Sequence, residues 1–80
     1  MQSTELELAL IKNHIETGNC PVKGVPIDIA YNPGLGWTLV THTQDIVDLN
    51  GEQRMRFARW LIELTEKLNR EGIQTRLERG

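Results

Sequence analysis

Acid–base chemistry in this 80-residue chain could come from His42, Asp28 and Arg76, which alternation along three short extended segments directs to one surface. An imidazole beside a carboxylate and a guanidinium can exchange protons near neutral pH. Catalysis would also need a cleft that excludes water and shifts a pKa, and the flat face of a sheet offers none. We therefore predict that these side chains, together with Thr38, form a polar binding face and that the protein is not an enzyme.

A metal site could be built from the two histidines and the single cysteine, His14, His42 and Cys20. Zinc ligands usually come in closely spaced pairs such as CxxC or HxxxH, and no such pair occurs here. The sequence thus predicts no metal ion and no cofactor. Because Cys20 is the only cysteine, a disulfide within the chain is excluded. A lone thiol without a long apolar segment favours a cytoplasmic protein that does not enter a membrane.

Nucleic-acid binding is suggested by the stretch Arg54-Met-Arg-Phe-Ala-Arg-Trp60, which holds three arginines and two aromatic residues. The formal net charge is −2, whereas proteins that bind duplex DNA through counterion release are usually basic. Residues 1–51 carry two basic and six acidic side chains, and residues 52–80 carry seven basic and five acidic ones. This balance fits a protein partner or a small ligand at least as well as a nucleic acid.

The spacing within residues 50–71 predicts a long helix, with Asn50 and Gln53 as its N-terminal signal and Gly72 after its end. At about 100° per residue, the apolar side chains fall on one arc, which we predict to face the core. The arc consists of Phe57, Trp60, Leu61, Leu64 and Leu68. Four i,i+4 ion pairs are predicted on the opposite side: Glu52 with Arg56, Arg59 with Glu63, Glu63 with Lys67, and Glu66 with Arg70. Such interleaving is typical of a solvated, salt-bridged face rather than of a helix that reads a DNA groove.

Three residues of this helix do not fit the two-sided pattern. Arg54 lies near the apolar arc in the first turns, where a cation also opposes the helix dipole, so we predict that Asp45 or Asp48 holds it. Met55 and Ile62 lie on the flank of the arc. They either pack on the first helix or form an exposed apolar strip for a partner.

The other elements are read from periodicity and turn residues. Residues 4–17 predict a first helix, and residues 25–31 and 37–43 alternate as two strands around a turn at 32–36. Pro26 indicates an edge strand, or a strand that begins just after it. Residues 73–79 predict a third strand. Strand 3 can pair with strand 2 in parallel or with strand 1 in antiparallel orientation, and we favour the second.

The predicted fold class is α+β, in the order α-β-β-α-β, with a three-stranded sheet and both helices packed on one face. We expect residues 1–80 to form a single small domain. The helix-facing side of the sheet is predicted to hold Ile27, Ile29, Trp37, Leu39, Ile73 and Leu77. The open side is predicted to hold Asp28, Thr38, His42, Arg76 and Glu78. Tyr31 and Trp37 alternate inward and can contact each other across the turn, so the open side lacks the exposed rings that stack on RNA bases.

These features favour a small non-enzymatic protein-interaction or regulatory module that self-associates. A three-stranded sheet has two open edges, and so short a chain builds a small core, which a second subunit can supplement. The partner-binding residues are predicted to be Arg54, Met55, Arg56, Arg59 and Ile62. The alternative function is nucleic-acid binding through Arg54, Arg56, Arg59 and Arg76.

Overall fold

A computed structural model describes residues 4–22, 24–41 and 49–79 of the chain. Along the chain it has α1 (Thr4–Thr17), β1 (Ile27–Asn32), β2 (Gly36–Thr41), α2 (Gly51–Arg70) and β3 (Thr75–Arg79). The predicted order of elements and the α+β class are confirmed. His42, Asp45 and Asp48 lie outside the described residues.

The hairpin between β1 and β2 follows from its turn residues. β1 begins at Ile27, directly after Pro26. This confirms one of the two predictions made from Pro26, that the strand begins just after the proline. The Leu35 N–H donates to the Asn32 carbonyl at 3.0 Å, and the Asn32 side chain accepts from the Gly34 N–H at 3.0 Å. Gly36 then takes a left-handed conformation with φ +86° as β2 starts.

Both ends of α2 are capped as the sequence indicates. The Asn50 side chain accepts from the Gln53 N–H at 2.8 Å, and the Gln53 side chain accepts in turn from the Asn50 N–H at 3.2 Å. At the other end Gly72, with φ +88°, lets the chain reverse so that the Ile73 N–H reaches the Leu68 carbonyl at 2.9 Å. The reversal leads α2 directly into β3.

The predicted partner of the third strand is wrong. The strands lie in the order β1-β2-β3, with β1 and β2 antiparallel and β2 and β3 parallel. The connection from α2 returns to the start of β2, where the Trp37 N–H donates to the Gln74 carbonyl at 2.8 Å. The Asn69 side chain fixes Thr75 from both sides by accepting from its N–H and donating to its carbonyl, each at 2.9 Å. These contacts place β3 beside β2 and leave β1 as the other edge.

Both helices cover one face of this sheet, as predicted. The main buried cluster joins α1, α2 and the sheet and consists of Ile11, Trp37, Leu39, Leu64, Leu68 and Ile73. A second cluster lies around the first half of α2 and consists of Val22, Leu49, Phe57 and Leu61. Leu77 lies opposite Leu39 and therefore on the helix-facing side, as predicted, but it is 37% exposed because β3 is an edge strand with a neighbour on one side only. The predicted contact between Tyr31 and Trp37 is confirmed, with ring centroids 4.8 Å apart.

Candidate interaction surfaces

The outer face of α2, defined here by Arg54, Met55, Arg56, Arg59 and Ile62, is exposed along its length. Met55 and Ile62 are 68% and 50% exposed, so the interpretation that they pack on α1 is wrong. The two side chains are seven residues apart, which at about 100° per residue is nearly two full turns, so they project in almost the same direction. Met55 and Ile62 therefore form an exposed apolar strip, which is the other of the two interpretations given from the sequence.

The charges around this strip form fewer ion pairs than the i,i+4 spacing predicts. Arg56 donates to Glu52 at 2.6 Å, and both side chains are about two-thirds exposed. Among the residues that the structure describes, no carboxylate lies within ion-pair distance of Arg59, Lys67 or Arg70. Long exposed side chains gain little from pairing in water, which explains why the spacing alone does not fix them.

Arg54 lies in the first turn of α2 and is exposed. It takes part in an interaction, whereas Asp45 and Asp48, its predicted partners, belong to the segment that is not described. The prediction that one of these carboxylates holds Arg54 therefore stays a prediction.

The open face of the sheet brings together some of the predicted polar residues. Thr38 and Arg76 lie opposite each other on β2 and β3, and the Arg76 Nε–H donates to the Thr38 hydroxyl at 3.1 Å. Thr38 is only 6% exposed, which the expectation of an open polar face did not include. Asp28 lies opposite Val40 and is exposed, and His42 is outside the described residues.

A groove that the sequence pattern did not single out runs along the first half of α1. We call it the Leu6–Leu10 groove, a cavity of about 300 Å³ lined by Leu6, Glu7, Leu10, Asn13, His14, Glu71 and Ile73. Leu6 and Leu10 form its outer wall and are 58% and 40% exposed. Two carboxylates supply its acidic character: Glu71 and Glu7, whose Oε2 lies 3.4 Å from the indole nitrogen of Trp37.

The groove lies where α1 passes the end of α2. The indole N–H of Trp60 donates to the Gly18 carbonyl at 2.7 Å, and the His14 imidazole contacts Glu71 at the end of α2, also at 2.7 Å. The two helices therefore run in opposite directions, and the part of α1 that lines the groove adjoins Glu71 and Ile73, which follow the last turn of α2. Without a second helix beside them, Leu6 and Leu10 stay exposed. An apolar pair at i,i+4, separate from the buried positions of α1, is the sequence signal for this surface.

The remaining candidate ligands have structural roles. His14 is an edge-of-core residue with one hydrogen bond, as its position on α1 suggests, and it separates the groove from a second cavity of about 400 Å³ beside Trp60 and Lys67. Cys20 is half-buried and its thiol donates to the Val22 carbonyl at 3.0 Å. Within residues 4–22, 24–41 and 49–79, no three His, Cys, Asp or Glu side chains are grouped so that they could hold a metal ion.

Comparison of the chain with family models, with curated proteins and with solved structures finds no match. Neither helix in the described part of the chain combines the length and the apolar character that a membrane crossing requires.

Proposed function

We propose that this chain is a small non-enzymatic protein-interaction module that self-associates through the outer face of α2. The supporting observation is the exposure of Met55 and Ile62 on a helix whose opposite side already fills the core. Apolar side chains on one strip of a helix gain free energy when a second surface removes them from water. Arg59, between them in sequence, can pair with a carboxylate of the partner. A cytoplasmic location is part of the proposal and is supported by the single free thiol of Cys20.

The size of the effect follows from the area that is still exposed. Complete burial of a methionine or isoleucine side chain is worth about 1.5–3 kcal/mol. Because Met55 and Ile62 keep 68% and 50% of their surface in water, a partner can recover at least half of that value at each position. Loss of both side chains should therefore weaken association by roughly 2 kcal/mol, which is about thirtyfold in Kd.

The test is sedimentation velocity of the unmodified chain and of a Met55→Gln, Ile62→Gln double variant, over concentrations up to the millimolar range. The matched control is Leu35→Gln, because Leu35 is 45% exposed on the hairpin turn and does not belong to the outer face of α2. We expect the unmodified chain and the control to associate alike and the double variant to stay monomeric. A monomeric unmodified chain at the highest concentration, or a control that dissociates as the double variant does, would refute the proposal.

Nucleic acid is the competing ligand for the arginines of α2. Its binding would weaken steeply as salt is added and would be lost on charge reversal of Arg56 and Arg59. Two observations favour the protein partner: Glu52 already neutralises Arg56, and Arg76 lies on the sheet face opposite to the helices. These arginines therefore do not form one continuous basic stripe. Salt-sensitive binding of short RNA or DNA to the outer face of α2 would replace the proposal with this alternative.

A further inference from the structure

We infer that the surface which receives the outer face of α2 is the Leu6–Leu10 groove of a second copy of the chain, so that copies associate head to tail. This inference rests on the proposed function and specifies the partner. The groove is the second place where large apolar side chains of a helix are exposed: Leu6 and Leu10 on α1, against Met55 and Ile62 on α2. On both surfaces, large apolar side chains of a helix are exposed, and no helix or strand in the described part of the same chain packs over them.

The two surfaces are complementary in charge. Glu7 and Glu71 line the groove, and Glu71 presents a carboxylate that is 45% exposed and held in position by His14. The outer face of α2 carries Arg59 one turn from both of its apolar residues, and this guanidinium has no carboxylate partner among the described residues. An apolar contact of Ile62 with Leu10 would place Arg59 near Glu71, where a planar guanidinium can pair with the carboxylate in two hydrogen bonds.

The dimensions also agree. A cavity of about 300 Å³ is large enough to take the Ile62 side chain but not a whole helix. Leu6 and Leu10 are separated by four residues, about 6 Å along α1, and Met55 and Ile62 by seven residues, about 10 Å along α2. If the two helices cross, Met55 and Ile62 can therefore contact Leu6 and Leu10 from either side. Ile62 then enters the groove.

The contact cannot form within one chain. Arg59 and Glu71 are twelve residues apart, so about 18 Å of helix separates them, and the groove opens beyond the end of α2 rather than over its outer face. A second copy must supply the partner. Because two different surfaces meet, the pair keeps one free groove and one free helix face after the first contact, and association continues to a ring or an open chain.

The experiment uses two variants that each lose one surface. The groove variant is Leu6→Gln, Leu10→Gln, and the face variant is Met55→Gln, Ile62→Gln; all four side chains are 40% or more exposed, so the core is left intact. Leu35→Gln again serves as the control. Each variant alone should associate about thirtyfold more weakly than the unmodified chain. An equimolar mixture of the two should form particles of two chains and no larger, because one intact groove and one intact face remain.

The outcomes separate this inference from the proposed function. A groove variant that associates as well as the unmodified chain would refute the groove as the receiving surface, while the outer face of α2 would stand. A mixture that remains monomeric would also refute the inference, because an intact groove and an intact helix face on different copies would then fail to bind each other. A face variant that associates normally would refute the proposed function itself. Circular dichroism of each variant confirms that its helices are retained.

Discussion

Replacing Gly36 with alanine tests how tightly β3 is joined to the start of β2. Gly36 has φ +86°, a conformation that L side chains rarely adopt. A Cβ at this position would lie 2.6 Å from the Gln74 carbonyl oxygen and 3.0 Å from the Gln74 Cβ. The same carbonyl accepts the Trp37 N–H at 2.8 Å, so the added methyl group must disturb the contact that aligns the two strands.

The magnitude has two parts. Holding alanine in the left-handed region costs about 1–2 kcal/mol. Displacement of the Gln74 carbonyl weakens one backbone hydrogen bond, at about 1 kcal/mol. Gly72 provides the matched control: it has φ +88°, and an added Cβ would have no atom within 4 Å, so its alanine variant incurs only the first part. We therefore expect Gly36→Ala to lower the free energy of unfolding by about 2–3 kcal/mol, and Gly72→Ala by about 1 kcal/mol less than that.

Urea unfolding followed by tryptophan fluorescence is the assay, since Trp37 lies beside the substituted residue. Both variants reduce the flexibility of the unfolded chain equally, so this effect cancels in their difference. In thermal unfolding, a difference of about 1 kcal/mol corresponds to about 4–8 °C for a domain of this size. Equal destabilisation by Gly36→Ala and Gly72→Ala would refute the close approach of Gln74, and with it the reason given for the position of β3.

Three further predictions concern single contacts. Asn69→Ala should destabilise the fold by about 2 kcal/mol because it removes both hydrogen bonds to Thr75, whereas Asn69→Asp, which keeps the acceptor for the Thr75 N–H, should cost less; urea unfolding of the pair decides. Asn50→Ala should cost about 1 kcal/mol through loss of the cap of α2, and an unchanged midpoint would contradict this role. Glu52→Gln should change stability by less than about 0.5 kcal/mol, because Glu52 and Arg56 are both exposed; a larger loss would show that the pair is more than a surface contact.

The sequence predicts α2 well because two independent signals agree there. The 3.6-residue period places Phe57, Leu61, Leu64 and Leu68 on one side, and all four are buried. Asn50 and Gln53 provide the capping box at the start, where the side chains satisfy backbone groups that the helix leaves open. Where capping residues and periodicity predict the same helix, tertiary contacts rarely change its bounds or its buried face.

Strand order could not be derived from alternation, because alternation assigns the two faces of a strand but not its neighbours. The charges of the strands carry a signal that separates them. β2 contains no charged residue, whereas β1 contains Asp28 and β3 contains Arg76, Glu78 and Arg79. Central strands tolerate few charges and edge strands carry them, so this signal places β2 in the middle from sequence alone.

The two candidate surfaces also differ in how far the sequence predicts them. The exposed strip of Met55 and Ile62 was one of two interpretations of the helical wheel, and only the position of α1 decided between them. The Leu6–Leu10 groove depends on where α1 ends relative to α2, which the contacts of His14 and Trp60 fix across the tertiary structure. The sequence pattern within either helix does not predict the position of α1 relative to the end of α2.

The parallel pairing of β2 with β3 determines the order in which the sheet can assemble. Ile29 and Leu39 face each other across a short turn, so the hairpin closes a small loop, whereas Thr38 and Arg76 are 38 positions apart. Closing the larger loop costs more entropy, and it becomes favourable only after α2 has formed and brought Gln74 to Trp37. We therefore expect β3 to dock last during folding. By the same argument we expect the amides of β3 to exchange with solvent before those of the hairpin, by an opening that leaves the hairpin paired.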